Sequence, residues 1–263
     1  MALYIIIILA IVQGLTEFLP VSSSGHLVVM TQLLGEEPSV FFTVVLHLGT
    51  LCAVLWVYRK EILDLLKGMM QKDKKSWTYA GYIIAATSVT AVIGIAGKSL
   101  FEETYSMIPV IIGGWVFTGI LLWLTDRISD DRISEKNNEL TLRKALIIGL
   151  FQAIAILPGV SRSGFTIIGA LFMGIERKMA AQFAFLISIP AIAGAAFLEF
   201  KDIDKTVMNG GTLMLYLIGF LIAAIVGYLS IRLFVATVLK GRLRWFSWYL
   251  FLLAFATLLY YIL

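Results

Sequence analysis

The chain has 263 residues, 60% of them hydrophobic and 14% charged, with a mean hydropathy of +0.92 and a formal net charge of +4. So apolar a composition excludes a single water-soluble domain, because no fold of this size has an interior large enough to hide it. The basic surplus lies at the ends of apolar windows, which argues against a nucleic-acid partner, and the single cysteine, Cys52, excludes an internal disulfide and a cysteine-based metal site.

From the N-terminus, the first apolar region, Leu3–Leu34, is interrupted. No basic leader precedes it, so no cleavable signal peptide is expected. At its middle stands a polar island, Gln13-Gly-Leu-Thr-Glu-Phe-Leu-Pro-Val-Ser-Ser-Ser-Gly25. Charge-poor windows long enough to cross a hydrocarbon core follow at Val40–Tyr58, Trp77–Gly97 and Ile108–Leu124. A second interrupted region, Ala145–Phe172, carries Gln152-Ala-Ile-Ala-Ile-Leu-Pro-Gly-Val-Ser-Arg-Ser-Gly164. Without a gap, Gln13 falls on Gln152 and Val-Ser-Ser-Ser-Gly on Val-Ser-Arg-Ser-Gly. Three more windows, Ala180–Phe200, Leu213–Leu229 and Trp245–Leu263, complete six spans in one membrane domain, residues 1–263.

The interrupted regions predict something other than spans. Each island is flanked by apolar pieces of roughly ten residues, and a helix of that length reaches only about half way through the bilayer. Pro20, Pro158 and the Ser and Gly residues break helices, so each region reads as a helix, a midplane turn and a helix returning to the same side. The alternative, one continuous span per region and eight in all, leaves the repeated turn unexplained. With re-entrant hairpins, each half is one hairpin plus three spans, and the odd number inverts the second half relative to the first. Charge agrees: Arg59–Ser76 carries six Lys/Arg and Asp126–Lys144 five, whereas Gly35–Ser39 carries none and Lys98–Met107 one. The positive-inside rule puts the first pair in the cytoplasm and the second outside. The fold class predicted is all-α integral membrane, with six transmembrane helices, two re-entrant hairpins and an inverted repeat over approximately 1–126 and 140–263. Arg232 reads as a residue snorkelling to the cytoplasmic face, and Glu36, Glu37, Glu102 and Glu103 as solvated loop charges.

Chemistry is expected where the copies differ. Glu17 corresponds to Ile156, His26 to Phe165 and Ser23 to Arg162, so one half brings acid–base groups and the other a fixed cation. The Arg162 guanidinium fits phosphate oxygens in a bidentate fork. Gly25 and Gly164 each open a returning helix, whose N–H groups and dipole favour an anion. The hydroxyls of Ser22, Ser23, Ser24, Ser161 and Ser163 surround the same point. Together these groups describe a phosphate or diphosphate pocket. Gln13 and Glu17, four apart, share a helix face. Glu17 can act as a general base or bind a divalent cation beside a diphosphate, and His26 as a nucleophile or proton donor. His47 reads as a packed, hydrogen-bonded histidine inside a span.

At these residues the chain resembles the undecaprenyl-diphosphate phosphatase family, the integral-membrane group linked to bacitracin resistance. That family's first motif is a Glu or Gln, three residues, a Glu, then Pro-Val-Ser-Ser, a hydroxyl residue and Gly-His; here it is Gln13, Glu17 and Pro20-Val-Ser-Ser-Ser-Gly-His26. The second, Pro-Gly-x-Ser-Arg-Ser-Gly, stands as Pro158–Gly164, followed by Thr166. The resemblance implies hydrolysis of undecaprenyl diphosphate to undecaprenyl phosphate and inorganic phosphate, recycling the lipid carrier of cell-wall synthesis in a bacterial cell membrane. It implies Glu17, His26, Ser23 and Arg162 as catalytic residues, and Gln13, Ser22, Ser24, Gly25, Ser161, Ser163, Gly164 and Thr166 as substrate contacts. It also implies a divalent cation, Mg²⁺ or Ca²⁺, bound with the substrate beside Glu17. Ser23, His26 or an activated water remains open as the nucleophile, and the site is expected to face outward, since Glu17 and His26 come from the hairpin that enters from outside. A transporter or lipid flippase is the competing function, because inverted repeats are common among transporters. Membrane lipids are the expected surroundings, and the oligomeric state is left open, a homodimer included.

Overall fold

With no water in a bilayer core to satisfy backbone N–H and C=O groups, a chain this apolar folds as helix. The computed structural model describes residues 1–36, 39–125, 139–199 and 210–263, and its described residues form helices and no strand. In chain order the helices are α1 (Leu3–Thr16), α2 (Ser23–Leu34), α3 (Val40–Val57), α4 (Arg59–Met70), α5 (Lys74–Ala96), α6 (Lys98–Thr104) and α7 (Ile108–Thr125). Then follow α8 (Leu142–Ile154), α9 (Arg162–Phe172), α10 (Arg177–Glu199), α11 (Gly210–Leu239) and α12 (Arg244–Ile262). Six of them, α3, α5, α7, α10, α11 and α12, are long and apolar enough to cross a membrane. They fall on the six windows read from the sequence.

Both interrupted regions are broken helices. The helix stops after Thr16 and resumes at Ser23, and again stops after Ile154 and resumes at Arg162. In each case the two pieces pack against each other. α1 lies along α11, α8 lies along α5, and α3 also packs on α11. Small residues permit these close approaches. A Cβ on Gly49 of α3 would stand 2.5 Å from the Phe220 carbonyl oxygen of α11, and one on Gly149 of α8 2.5 Å from that of Ala86 on α5. The largest core cluster lies around the second turn and includes Trp115, Phe165, Phe183, Phe185 and Phe234.

Three features differ from the sequence reading. α4 occupies a stretch read as a connection. It is amphipathic, with Ile62, Leu63, Leu65 and Leu66 among Arg59, Lys60 and Lys67, and it has no buried residue. The Trp77 indole N–H donates to the Met69 carbonyl (3.1 Å), and Asp73 caps α5 by accepting from the amides of Lys75 and Ser76. α6 occupies a second such stretch. α11 runs ten residues beyond Leu229 because Arg232 does not end it: the guanidinium lies over the Tyr228 ring, 5.7 Å from its centroid. Glu36 and Glu102 line a vestibule of about 980 Å³ with Tyr105 and Glu199, although Glu102 also pairs with exposed Lys98 (3.4 Å). Glu37, most of Asp126–Lys144 and all of Lys201–Asn209 lie outside the described residues.

Candidate active site

Glu17 holds the centre. It continues α1 by one residue in helical conformation, and its amide donates to the Gln13 carbonyl (2.9 Å). That geometry stacks Gln13 one turn below, as the spacing of four predicts. The residue is only 5% exposed. Its Oε2 accepts from Ser23 Oγ (2.6 Å) and from Gln13 Nε2 (3.1 Å). Its Oε1 accepts from Arg162 Nη2 in an ion pair that joins the first turn to the second. Ser163 Oγ donates to the Leu19 carbonyl (3.1 Å), and a Cβ on Gly164 would touch Pro20 at 3.0 Å, so the two turns are in van der Waals contact.

The electrostatics of this pair are unusual. Glu17 stands at a helix C-terminus and Arg162 is the first residue of α9, so each charge faces the dipole end that disfavours it, at about 0.3–1 kcal/mol apiece. Each compensates the other. Arg162 adds its charge to the positive end of α9, and that combination suits an anion better than a carboxylate already held by two other donors. The Arg162 side chain is 23% exposed and so reachable. A cavity of about 10 Å³, room for about one water, lies against Glu17, Arg162, Ser163, Thr166 and Ser188.

The two serine-rich turns have matching local geometry. Ser22 caps α2 by accepting from the Gly25 amide (3.4 Å), and Ser161 caps α9 by accepting from the Gly164 amide (3.2 Å). Ser22 and Ser24 hydroxyls lie 3.2 Å apart, and so do those of Ser161 and Ser163. The Gly25 and Gly164 amides are thus engaged by caps, and the amides left for an anion are those of Ser23 and Ser24 and of Arg162 and Ser163. The Thr166 hydroxyl donates back to the Arg162 carbonyl (2.9 Å). One difference separates the turns: Ser22 has φ 67°, whereas Ser161 has φ −84°.

His26 is placed apart from Glu17. Its Nδ1 bonds the Ser22 carbonyl (2.7 Å), so Nδ1 carries the hydrogen, and Nε2 accepts from the Tyr249 hydroxyl (2.7 Å). His47 is the residue the sequence reading missed. It is hydrogen-bonded as expected, its Nδ1 donating to the Thr43 carbonyl (2.9 Å), but its Nε2 faces Glu17 Oε2 at 3.9 Å. No motif marks His47, because α3 and α1 meet only in the fold. Tyr105 is a second such residue. It is partly exposed and lines the vestibule with Glu199.

As a metal centre the residues fit only a shared role. Among the described residues no three His, Cys, Asp or Glu side chains gather to hold an ion. Gln13 Oε1, however, is buried without a partner beside Glu17, an oxygen that a hard cation accepts. Two oxygens are too few for Mg²⁺ or Ca²⁺, which take six or more, unless a bound diphosphate supplies others.

The comparisons with known proteins cover nearly the whole chain. The family model described as bacitracin resistance protein BacA matches residues 6–256. A protein of Carboxydothermus hydrogenoformans named undecaprenyl-diphosphatase is 42% identical over 252 residues, covering 94% of this chain and 93% of its own. Proteins of the same name from Alkaliphilus metalliredigens (41% identical; 92% and 93% covered) and Methanococcus vannielii (38%; 97% and 98%) are similar throughout. An ion pair joining two serine-rich turns of an all-helical membrane protein, together with these whole-length matches, leads to one conclusion: the chain belongs to the bacitracin resistance protein BacA family.

Proposed function

We infer that this chain hydrolyses undecaprenyl diphosphate to undecaprenyl phosphate and inorganic phosphate, recycling the lipid carrier of cell-wall synthesis. The observation that carries the reading is the Glu17 carboxylate held at once by Ser23 Oγ (2.6 Å) and Arg162. Ser23 is the nucleophile in this account. Its Oγ attacks the terminal phosphorus while its proton passes to Glu17. The bond from that phosphorus to the bridging oxygen breaks, and undecaprenyl phosphate leaves. Water then attacks the phosphoserine, releasing inorganic phosphate and restoring the hydroxyl. Arg162 and the open amides of the two helix starts stabilise charge on the transferred group. Ser22, Ser24, Ser161, Ser163 and Thr166 shape the cradle around it, with Gly25 and Gly164 completing the caps. His26, whose Nε2 lone pair is taken by Tyr249, is not available to attack.

Gln13 Oε1 and Glu17 would hold a divalent cation, Mg²⁺ or Ca²⁺, only together with diphosphate oxygens, and such an ion would supply charge neutralisation of the diphosphate. Phosphate release is expected to fall at least tenfold in excess EDTA and to recover with excess Mg²⁺. Unchanged rates under chelation remove the cation from the account while leaving the Ser23–Glu17 step in place.

The two broken regions are re-entrant hairpins, related as an inverted repeat. Supporting this are the matched caps and the reciprocal packing, α1 on α11 and α8 on α5. The vestibule that Tyr105 and Glu199 line opens to the external face of the cell membrane, on the charge argument. In a chain carrying Cys52→Ser, Glu36→Cys should react with an impermeant maleimide from outside intact cells and Asn138→Cys only after lysis. Labelling of both from the same side refutes the inversion.

A further inference from the structure

α12 meets α2 across a groove of about 250 Å³ lined by His26, Val29, Leu33, Trp115, Leu253 and Tyr261. Two tyrosine hydroxyls of α12 bond to α2. Tyr261 donates to Gln32, and Tyr249 donates to His26 Nε2 (2.7 Å). Tyr249 and His26 rings lie nearly parallel, planes within 4° and centroids 5.8 Å apart, and meet edge to edge through the hydroxyl, while Trp115 packs against the His26 ring at 5.4 Å. The ring is therefore held on both nitrogens and packed against Trp115. Its Nδ1–H ends on the carbonyl of Ser22, whose φ of 67° is a left-handed conformation that a non-glycine residue keeps only where neighbours enforce it. In the second turn, Phe165 stands where His26 stands in the first, and Ser161 there has an ordinary φ of −84°. The left-handed cap thus occurs in the copy that has the histidine. The residue after that cap is Ser23, whose hydroxyl meets Glu17.

We propose that Tyr249 is a positioning residue of the site: it holds His26, and through the Ser22 carbonyl fixes the left-handed turn that presents Ser23 to Glu17. This rests on the phosphoryl-transfer reading of the site. His26 is then a strut with one tautomer, hydrogen on Nδ1. Tyr249→Phe keeps the ring and removes only the hydroxyl. It leaves Nε2 without its partner and removes one of the ring's two anchors, so the turn loosens, and a misplacement of about 1 Å at the reacting group costs up to about 10²-fold. The effect belongs chiefly in kcat, because Arg162 and the second turn, which bind the diphosphate, are untouched.

The test combines kinetics with imidazole ¹⁵N NMR on the purified full-length chain in detergent. The chain has two histidines, told apart with a His26→Asn sample. The expected results are an Nδ1–H tautomer for His26 in the parent protein, and in Tyr249→Phe an Nε2 resonance shifted to that of a nitrogen without a hydrogen-bond donor. With these should come a kcat lower by about ten- to hundredfold and a KM within about twofold. Trp248→Phe, one position along on the exposed face, should match the parent in both measurements. A parent His26 protonated at Nε2, or a Tyr249→Phe protein with unchanged kcat, overturns the proposal, as does a rise in KM alone. If the parent protein does not release phosphate from a polyprenyl diphosphate, the phosphatase reading fails, and the Nε2 shift between parent and Tyr249→Phe still decides whether Tyr249 holds His26.

Discussion

Arg162→Ala should lower turnover of a polyprenyl diphosphate by about 10³-fold or more, the scale on which a positioned arginine acts on a transferring phosphoryl group. Stability should fall as well. Glu17 is 5% exposed, and removing its partner leaves a buried carboxylate against an uncancelled helix C-terminus, at a cost of about 3–5 kcal/mol. The two effects separate in a double-mutant cycle. Adding Glu17→Gln to Arg162→Ala removes the stranded charge, so the double variant should regain thermal stability while staying inactive. Arg162→Lys keeps the charge but loses the fork, and should recover only a minor part of the rate. The readouts are phosphate release and the melting temperature in detergent.

Glu17→Gln alone should lower kcat by about 10²–10⁴-fold, the range for a general base. The amide keeps the shape and can still accept from Ser23 or Gln13, but cannot take the Ser23 proton. Arg162, released from its partner, should bind the diphosphate at least as well, so KM should stay level or fall. This split separates a phosphatase from a transporter. A flippase that merely binds the anion at midplane tolerates Glu17→Gln, whereas a hydrolase does not.

Much of this was legible in the sequence. The six spans could be read because crossing a bilayer demands length and apolarity, and both are local properties. The breaks at the two islands were legible from Pro20 and Pro158, and the Gln13–Glu17 stack from helical spacing. What stayed hidden was the meeting of distant segments. His47 lies 30 positions from Glu17, on α3, and Tyr249 lies 223 positions from His26, on α12. Neither has a local signature, since a span histidine and a span tyrosine look like packing residues until their neighbours are known. That the two turns meet, with Arg162 facing Glu17, was legible from the repeat; the direct ion pair and the contacts through Ser163, Leu19, Pro20 and Gly164 that set it were not. α4 and α6 were missed because their windows are too polar for a span and too short for a core.

The measurement that bears most directly on the account is inorganic phosphate release from undecaprenyl diphosphate by the purified protein, alongside Ser23→Ala, Glu17→Gln and Arg162→Ala. The account predicts that the parent releases one phosphate per lipid consumed and leaves undecaprenyl phosphate. Loss of any one of the three groups, from either turn, should reduce the rate by at least about 10²-fold. Full activity in Arg162→Ala, or in both Ser23→Ala and Glu17→Gln, contradicts a site built jointly by the two turns.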